Sequence, residues 1–413
     1  MDAATGAAPA TPPGPALASR LSALPVPATI GMAVRARALR AGGHRVISLA
    51  LGEPDFATPP EAVEAAHQAA LAGDTRYPPV DGTAALKRAV QAKFARENGL
   101  DFALDEIMVA NGGKQILFNA LMATLEAGDE VVIPSPYWAS YPLTVQLLGA
   151  RAVHPPCPEE LGFRLTPEAL EAAMTPRTKW VILNFPNNPT GATCGEAEML
   201  GLAAVLRRHP RTWILCDEIY EHLIHEGPPH ASLAQVAPDL RDRVLTLNGV
   251  SKTYAMTGWR IGYCGGPAEL VRAMAVIQGN ATSGASTIGQ AAAVAALQGD
   301  ASLVEQMRDT YRQRRDLVVA ALRTARGVTC AMPHGAFYAY PGIAGCIGRT
   351  SAGGARLQTD EDFALALLDE QHVAVVQGAA FGMSPYLRLS VASDDDSLRE
   401  ACARIGRFCE GLR

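Results

Sequence analysis

VLTLNGVSKTYAMTGWR, residues 244–260, is the stretch on which the reading of this chain turns. Its first part, Val244 to Val250, is a short apolar run of strand character. The chain leaves that run through Ser251, Lys252 and Thr253 and reaches Arg260 within one loop. A lysine amine is a poor nucleophile at neutral pH unless its surroundings lower its pKa. At the mouth of a sheet, beside a second cation, Lys252 is suited to a Schiff base with a carbonyl cofactor. Arg260 is then suited to that cofactor's phosphate. A surface lysine in a Gly/Ser turn fits this segment equally well, so the rest of the chain decides.

Working outward, short apolar runs alternate with amphipathic helical stretches. The pattern predicts strands at Ile107–Ala110, Glu130–Ile133, Trp180–Asn184, Trp213–Cys216, Val244–Leu247 and Ile261–Cys264. It predicts helices at Pro60–Ala72, Gly82–Asn98, Gln115–Glu126, Thr166–Ala173, Ala197–Arg208 and Pro267–Ile277. Such alternation means an α/β fold with a mostly parallel central sheet and helices on both faces. After about residue 300 comes a charged helix, Ser302–Thr324, then short strands near Phe337–Tyr340, Val373–Val376 and Leu387–Ser390, and a last helix. The domain expectation is a disordered tail over residues 1–20, a segment 21–58 joining the small domain, a large domain 59–301, and a small α+β domain 302–413.

Composition narrows the function. Apolar residues make up 48% and charged residues 19%, as in a globular protein. The 36 basic and 41 acidic residues nearly cancel, so neither nucleic acid nor membrane is expected as a partner. No apolar run is long enough to span a bilayer. The first 20 residues are Ala/Pro-rich, lack an apolar signal-peptide core and are too few for a helix-turn-helix unit. The 8 cysteines are scattered with no CxxC pair, which points to reduced thiols in a cytoplasmic protein. No GxG occurs and GxxxxGK[ST] is absent. A phosphate loop without either pattern favours a small phosphorylated cofactor.

Further segments carry chemistry beside plainer readings. Asn111-Gly112-Gly113-Lys114-Gln115 lies between a predicted strand and helix, where backbone N–H groups bind phosphate or merely turn the chain. Asn187-Asn188-Pro189-Thr190-Gly191 is a turn that places an amide at a strand end. Asp217 ends an apolar strand, and a buried carboxylate there needs a partner such as a pyridinium nitrogen; N-cap of a following helix is the alternative. Tyr220 follows, within reach of a phenolic oxygen. Arg388 sits in an alternating strand and suits bidentate carboxylate binding, although an edge arginine facing water is commoner. Glu221-His222-Leu223-Ile224-His225-Glu226 lacks HExxH spacing and reads as a solvated helix end, with no metal site.

Together these segments resemble the fold-type I, pyridoxal-phosphate aminotransferases of class I/II, and within them the bacterial aspartate aminotransferases. The resemblance runs from about residue 21 to the C-terminus. It rests on Gly52-Glu-Pro-Asp-Phe56, Tyr77 with Gly82, Asn111–Gln115, Pro136-Tyr-Trp138, Asn187–Gly191, Asp217–Tyr220, Ser251–Arg260, Gly335-Ala-Phe-Tyr338 and Arg388, in that order.

The resemblance implies the roles. Lys252 is the lysine that holds pyridoxal 5'-phosphate and then moves the substrate proton. Asp217 pairs with the ring nitrogen, Tyr220 and Asn188 hold the phenolate oxygen, and Trp138 stacks on the ring. Gly113 and Lys114 through their backbone, with Ser251 and Arg260, form the phosphate cup, and Tyr77 reaches the phosphate of a partner subunit, implying a homodimer. Arg388, with Gly52, Trp138 and Asn188, takes the substrate. Lys114 and Thr29 are associated with a distal carboxylate, so dicarboxylic amino acids and 2-oxo acids are the expected substrates, by a ping-pong mechanism. Prephenate or broader specificity, or lyase chemistry on the same fold, are the alternatives. The chain departs from the family pattern at Pro27, Phe185 and Gln377, of which Pro27 touches specificity and the other two packing.

Overall fold

The computed structural model describes residues 17–22, 24 and 28–413, with only the backbone at 22 and 29. Its strands in chain order are β1 (Ile47–Ser48), β2 (Ile107–Ala110), β3 (Glu130–Val132), β4 (Arg151–Val153), β5 (Thr178–Asn184), β6 (Trp213–Asp217), β7 (Val244–Gly249), β8 (Gly262–Gly265), β9 (Tyr338–Ala339), β10 (Val373–Ala374), β11 (Val376–Gln377) and β12 (Leu387–Ser390). The central sheet has 7 strands in the order β2-β8-β7-β6-β5-β3-β4. Its pairings are parallel except those made by β8, which runs against both β7 and β2.

The sheet is buried on both faces, which is why its strands read as continuous apolar runs. Successive residues still point to opposite sides. Val181 and Leu183 of β5 enter one core with Val109, Ile214 and Val244. Trp180 and Ile182 enter the other with Met108, Leu215 and Leu245. Helices cover both faces. Pro60–Leu71 begins on a proline, whose missing N–H is not needed in a first turn. Thr83 caps Ala84–Lys93 by accepting from Leu86 N at 3.3 Å.

Local geometry departs from the predicted elements in places that matter below. The helix expected over Gly82–Asn98 is α-helical only to Lys93. It closes as a π-turn, Phe94–Asn98, ended by left-handed Gly99. The strand expected at Ile261–Cys264 is shifted to Gly262–Gly265. Glycine is required at its start, because a Cβ on Gly262 would lie 2.4 Å from Gly112 C and Gly113 N.

A third core gathers Tyr311, Val318, Phe337, Phe363, Leu389 and Phe408 from the C-terminal part with Ile47 and Leu49. There the single strand expected at Val373–Val376 is two. β10 pairs parallel with β1, and β11 pairs antiparallel with β12. Val375 is the residue at which the chain changes partner, so one apolar run serves two sheets. Residues 1–16 of the expected tail lie outside the described residues, and Ser19–Ser22 form a short helical turn.

Candidate active site

Parallel strands present their carboxyl ends on one edge, and in open α/β sheets ligands sit there. Here β2, β3, β5, β6 and β7 all deliver polar residues to that edge. After β2 come Gly113 and Lys114, after β3 Trp138, after β5 Asn184 and Asn188. Asp217 ends β6, and Ser251 and Lys252 follow β7. They line one cavity of about 520 Å³, which Gly52, Tyr338 and Arg388 close from the other side.

Lys252 Nζ donates to Gly52 O at 2.7 Å. Burial pushes its amine down to about 8, with Arg388 and Arg260 adding to the effect and Glu53 opposing it. Lys252 is thereby far closer to a neutral nucleophile at physiological pH than a surface lysine. Asp217 is buried and accepts a hydrogen bond from Tyr141 Oη at 2.5 Å and one from Ile219 N at 3.3 Å. Burial pushes its carboxyl up to about 6 despite those bonds. Tyr220 lies on the same edge, its hydroxyl 2.9 Å from that of Tyr338. Burial raises both phenols, so each stays protonated as a hydrogen-bond donor.

The loop after β2 makes an anion cradle. Gly112 has φ +83°, and a Cβ there would come 2.5 Å from Arg260 Nη2. The helix Gly113–Met122 begins at this point, so its first N–H groups face the cavity end near Ser251 and Arg260. Lys114 extends over Trp138, its Nζ 5.1 Å from the ring centroid. Burial, and then repulsion from Arg260, lower its pKa.

Arg388 is buried on β12, not at a solvent-facing edge. Its guanidinium lies between the rings of Tyr338 and Phe381, 4.7 and 4.8 Å from their centroids. Nη1 donates to Asn188 Oδ1 at 3.1 Å and Nη2 to Ala50 O at 2.7 Å. Nε is buried with no hydrogen-bond partner. A planar donor edge held this way suits a ligand carboxylate.

Not every expected residue meets here. Tyr77 is 91% exposed and outside the cavity. Pro27 and the side chain of Thr29 lie outside the described residues. Phe185 is part of a core, and Gln377 is a buried residue ending β11. Glu221–Glu226 is a turn with Glu221 and His225 buried, not the expected solvated helix end. Sequence reasoning missed Tyr141, Asn184 and Phe381, and gave Tyr338 no role. Tyr141 lies in the first turn of the helix Ser140–Leu147, three residues after Trp138, and its N–H donates to Trp138 O at 3.0 Å, so closeness in sequence to Trp138 was the available signal. Asn184 ties β5 to β6 by donating to Asp217 O at 3.0 Å.

Comparison with known proteins agrees with this geometry. A profile of the family described as "Aminotransferase class I and II" matches residues 44–405. The chain is 56% identical over 384 residues to an aspartate/prephenate aminotransferase of Cereibacter sphaeroides, covering 93% of this chain and 96% of that protein. Among solved structures, the aspartate aminotransferase from Rhizobium meliloti superposes with a TM-score of 0.94 at 50% identity, over 97% of this chain and 100% of that one. That of Thermus thermophilus with maleate gives 0.89 at 39% identity, over 96% and 100%. With most of its length matched by one family, the chain is a class I and II aminotransferase.

Proposed function

We propose that this aminotransferase uses pyridoxal 5'-phosphate and moves amino groups between dicarboxylic amino acids and 2-oxo acids, aspartate being the reference substrate. The observation that carries the reading is that Lys252 and Asp217, at the ends of neighbouring strands, line one cavity whose far side is closed by Arg388. The residues fit the cofactor on independent grounds. A Cβ at Gly112, whose φ is +83°, would press on the Arg260 guanidinium that faces the cradle, Asp217 is a buried carboxylate without a cation bonded to it, and Arg388 Nε is a buried donor without an acceptor. When bound, the cofactor supplies the aldehyde and the electron sink that labilise the substrate Cα–H bond.

The chain's own groups do the rest. Gly113 and Lys114 through their backbone, with Ser251 and Arg260, hold the phosphate. Asp217 keeps the ring nitrogen protonated, while Tyr220 and Asn188 donate to the ring oxygen. Trp138 covers the ring face. Arg388 orients the α-carboxylate, with Gly52 beside it, and Lys252 is the base that carries the proton. Lys114, with Thr29, reads a second carboxylate. The maleate in the Thermus thermophilus structure, itself a dicarboxylate, supports that part.

The exposed Tyr77 fits a homodimer in which it reaches the partner's phosphate site. The buried, unpaired cysteines fit a reducing, cytoplasmic compartment. Among the described residues no helix is long and apolar enough to cross a membrane. Borohydride reduction followed by peptide mass spectrometry should place the cofactor on Lys252. Conversion of the cofactor to its amine form by aspartate or glutamate alone should follow, with oxaloacetate and prephenate compared as acceptors. Label elsewhere, or release of ammonia in place of that conversion, would refute the aminotransferase mechanism proposed for this site.

A further inference from the structure

The Glu221–His222 turn, which carries no role in the reaction above, grips the lysine segment from both ends. Asn248, the residue before Gly249 at the end of β7, donates to Glu221 Oε1 at 2.6 Å. The same Asn248 accepts from Gly249 N at 2.8 Å, where the chain turns toward Lys252. On the far side of Lys252, Thr253 Oγ1 lies 3.2 Å from His222 Nδ1. Lys252 therefore sits between two anchors that belong to one turn, and that turn begins just after Tyr220.

The turn is itself held by the π-turn Phe94–Asn98. Lys93, fully buried, pairs with Glu221 and donates to Asn98 Oδ1 at 2.7 Å. Asn98 Nδ2 donates to Glu221 Oε2 at 2.6 Å. Glu97 Oε2 lies 3.0 Å from His222 Nε2. In an α-helix, residues five apart point about 140° away from each other. The wider π-turn, with its i→i+5 bonds, brings Lys93 and Asn98 to one carboxylate. Glu97, Glu221 and His222 also have metal-ligand spacing. The Lys93 ammonium already lies 3.6 Å from Glu97 and pairs with Glu221, so the carboxylates are balanced by a cation of the chain.

We infer that Glu221 and His222 are positioning residues that set where Lys252 Nζ stands relative to Asp217 and Tyr220, through Asn248 and Thr253. The inference rests on Lys252 being the cofactor lysine. Small displacements of a catalytic group lower rates by up to about a hundredfold.

The test compares holoenzyme carrying Thr253→Val, His222→Phe, both together, and Leu322→Ala as a control in the distant core. Thr253→Val removes one hydroxyl and keeps the shape, so it preserves the fold. Each single variant should shift the apparent pKa of the cofactor's visible band by about half a unit or more. Each should lower kcat about tenfold, with the KM for aspartate within about twofold. The double variant should be no worse than the poorer single one, as for one shared interaction. Leu322→Ala should lower Tm and leave the band unmoved. An unmoved band in both single variants, a shift matched by the control, or losses that add would overturn the inference. A wild-type protein in which borohydride fixes no cofactor on Lys252 would instead remove the assignment on which the inference rests.

Discussion

Tyr141 donates its phenolic hydrogen to Asp217 Oδ2 across 2.5 Å, with both side chains buried. Nearby, the rings of Tyr141 and Trp138 meet edge to face at 5.2 Å. One side chain thus orients the Asp217 carboxylate and braces the Trp138 indole. Tyr141→Phe should leave Asp217 short of a donor it cannot recover from water. A buried hydrogen bond to a charged group contributes about 1.5–3 kcal/mol, so cofactor dissociation should quicken and kcat/KM should fall by one to two decades. Absorbance-monitored dialysis and steady-state kinetics check both.

Asp217 also makes cofactor-free stability depend on pH. Its folded pKa is raised, to about 6 from 3.8. Folding therefore favours the protonated form. The contribution is most favourable below the unfolded value and is lost as pH rises through the folded one. The penalty at pH 7 is about 3 kcal/mol. Cofactor-free Asp217→Asn should accordingly be more stable than the parent at pH 7 by up to about that amount. Near pH 4 the gap should shrink below about 1 kcal/mol. Urea unfolding at the two pH values measures it, and a gap that grows on acidification would contradict the assignment.

Lys114 and Arg388, the two cations proposed to bind substrate, should fail differently. Lys114→Ala should lower kcat/KM for aspartate by one to two decades, as for a lost charge-assisted contact of about 1.5–3 kcal/mol, and spare alanine and phenylalanine. Arg388→Lys gives up the bidentate fork and should penalise all amino acids alike by a similar factor. A substrate panel separates the two, and equal losses from Lys114→Ala would assign that lysine to the phosphate or the fold.

Gly262→Ala probes the cradle from beneath. The new methyl would strike the backbone of Gly112 and Gly113, which cannot rotate away as a side chain does. The overpacking should cost about 1–3 kcal/mol in stability. Cofactor affinity should drop with it, because the displaced atoms belong to the loop proposed to hold the phosphate. Thermal unfolding with and without cofactor should show a smaller cofactor-induced rise in Tm than in the parent.

The residues legible in the sequence share one property. Lys252, Asp217, Asn188 and Lys114 each follow or end an apolar run, and a polar residue at the carboxyl end of a buried strand is a local pattern. The alternation of strands and helices likewise announced a mostly parallel sheet, because burial of both faces leaves continuous apolar runs in the chain. The antiparallel course of β8 and the splitting of Val373–Val376 between two sheets were not visible, since pairing partners are chosen by packing over long separations.

By itself, the sequence determined the mostly parallel character of the sheet, the lysine after β7 and the family. Tertiary structure alone decided what surrounds that lysine. Arg388 meets Asn188 from 200 residues away, Tyr141 finds Asp217 across two elements, and a turn that read as a solvated helix end became a buried anchor for β7. Periodicity records which face of an element is buried, but not which side chain of another element lies against it. Those contacts, made where water is excluded, lower the Lys252 amine to about 8 and raise the Asp217 carboxyl to about 6.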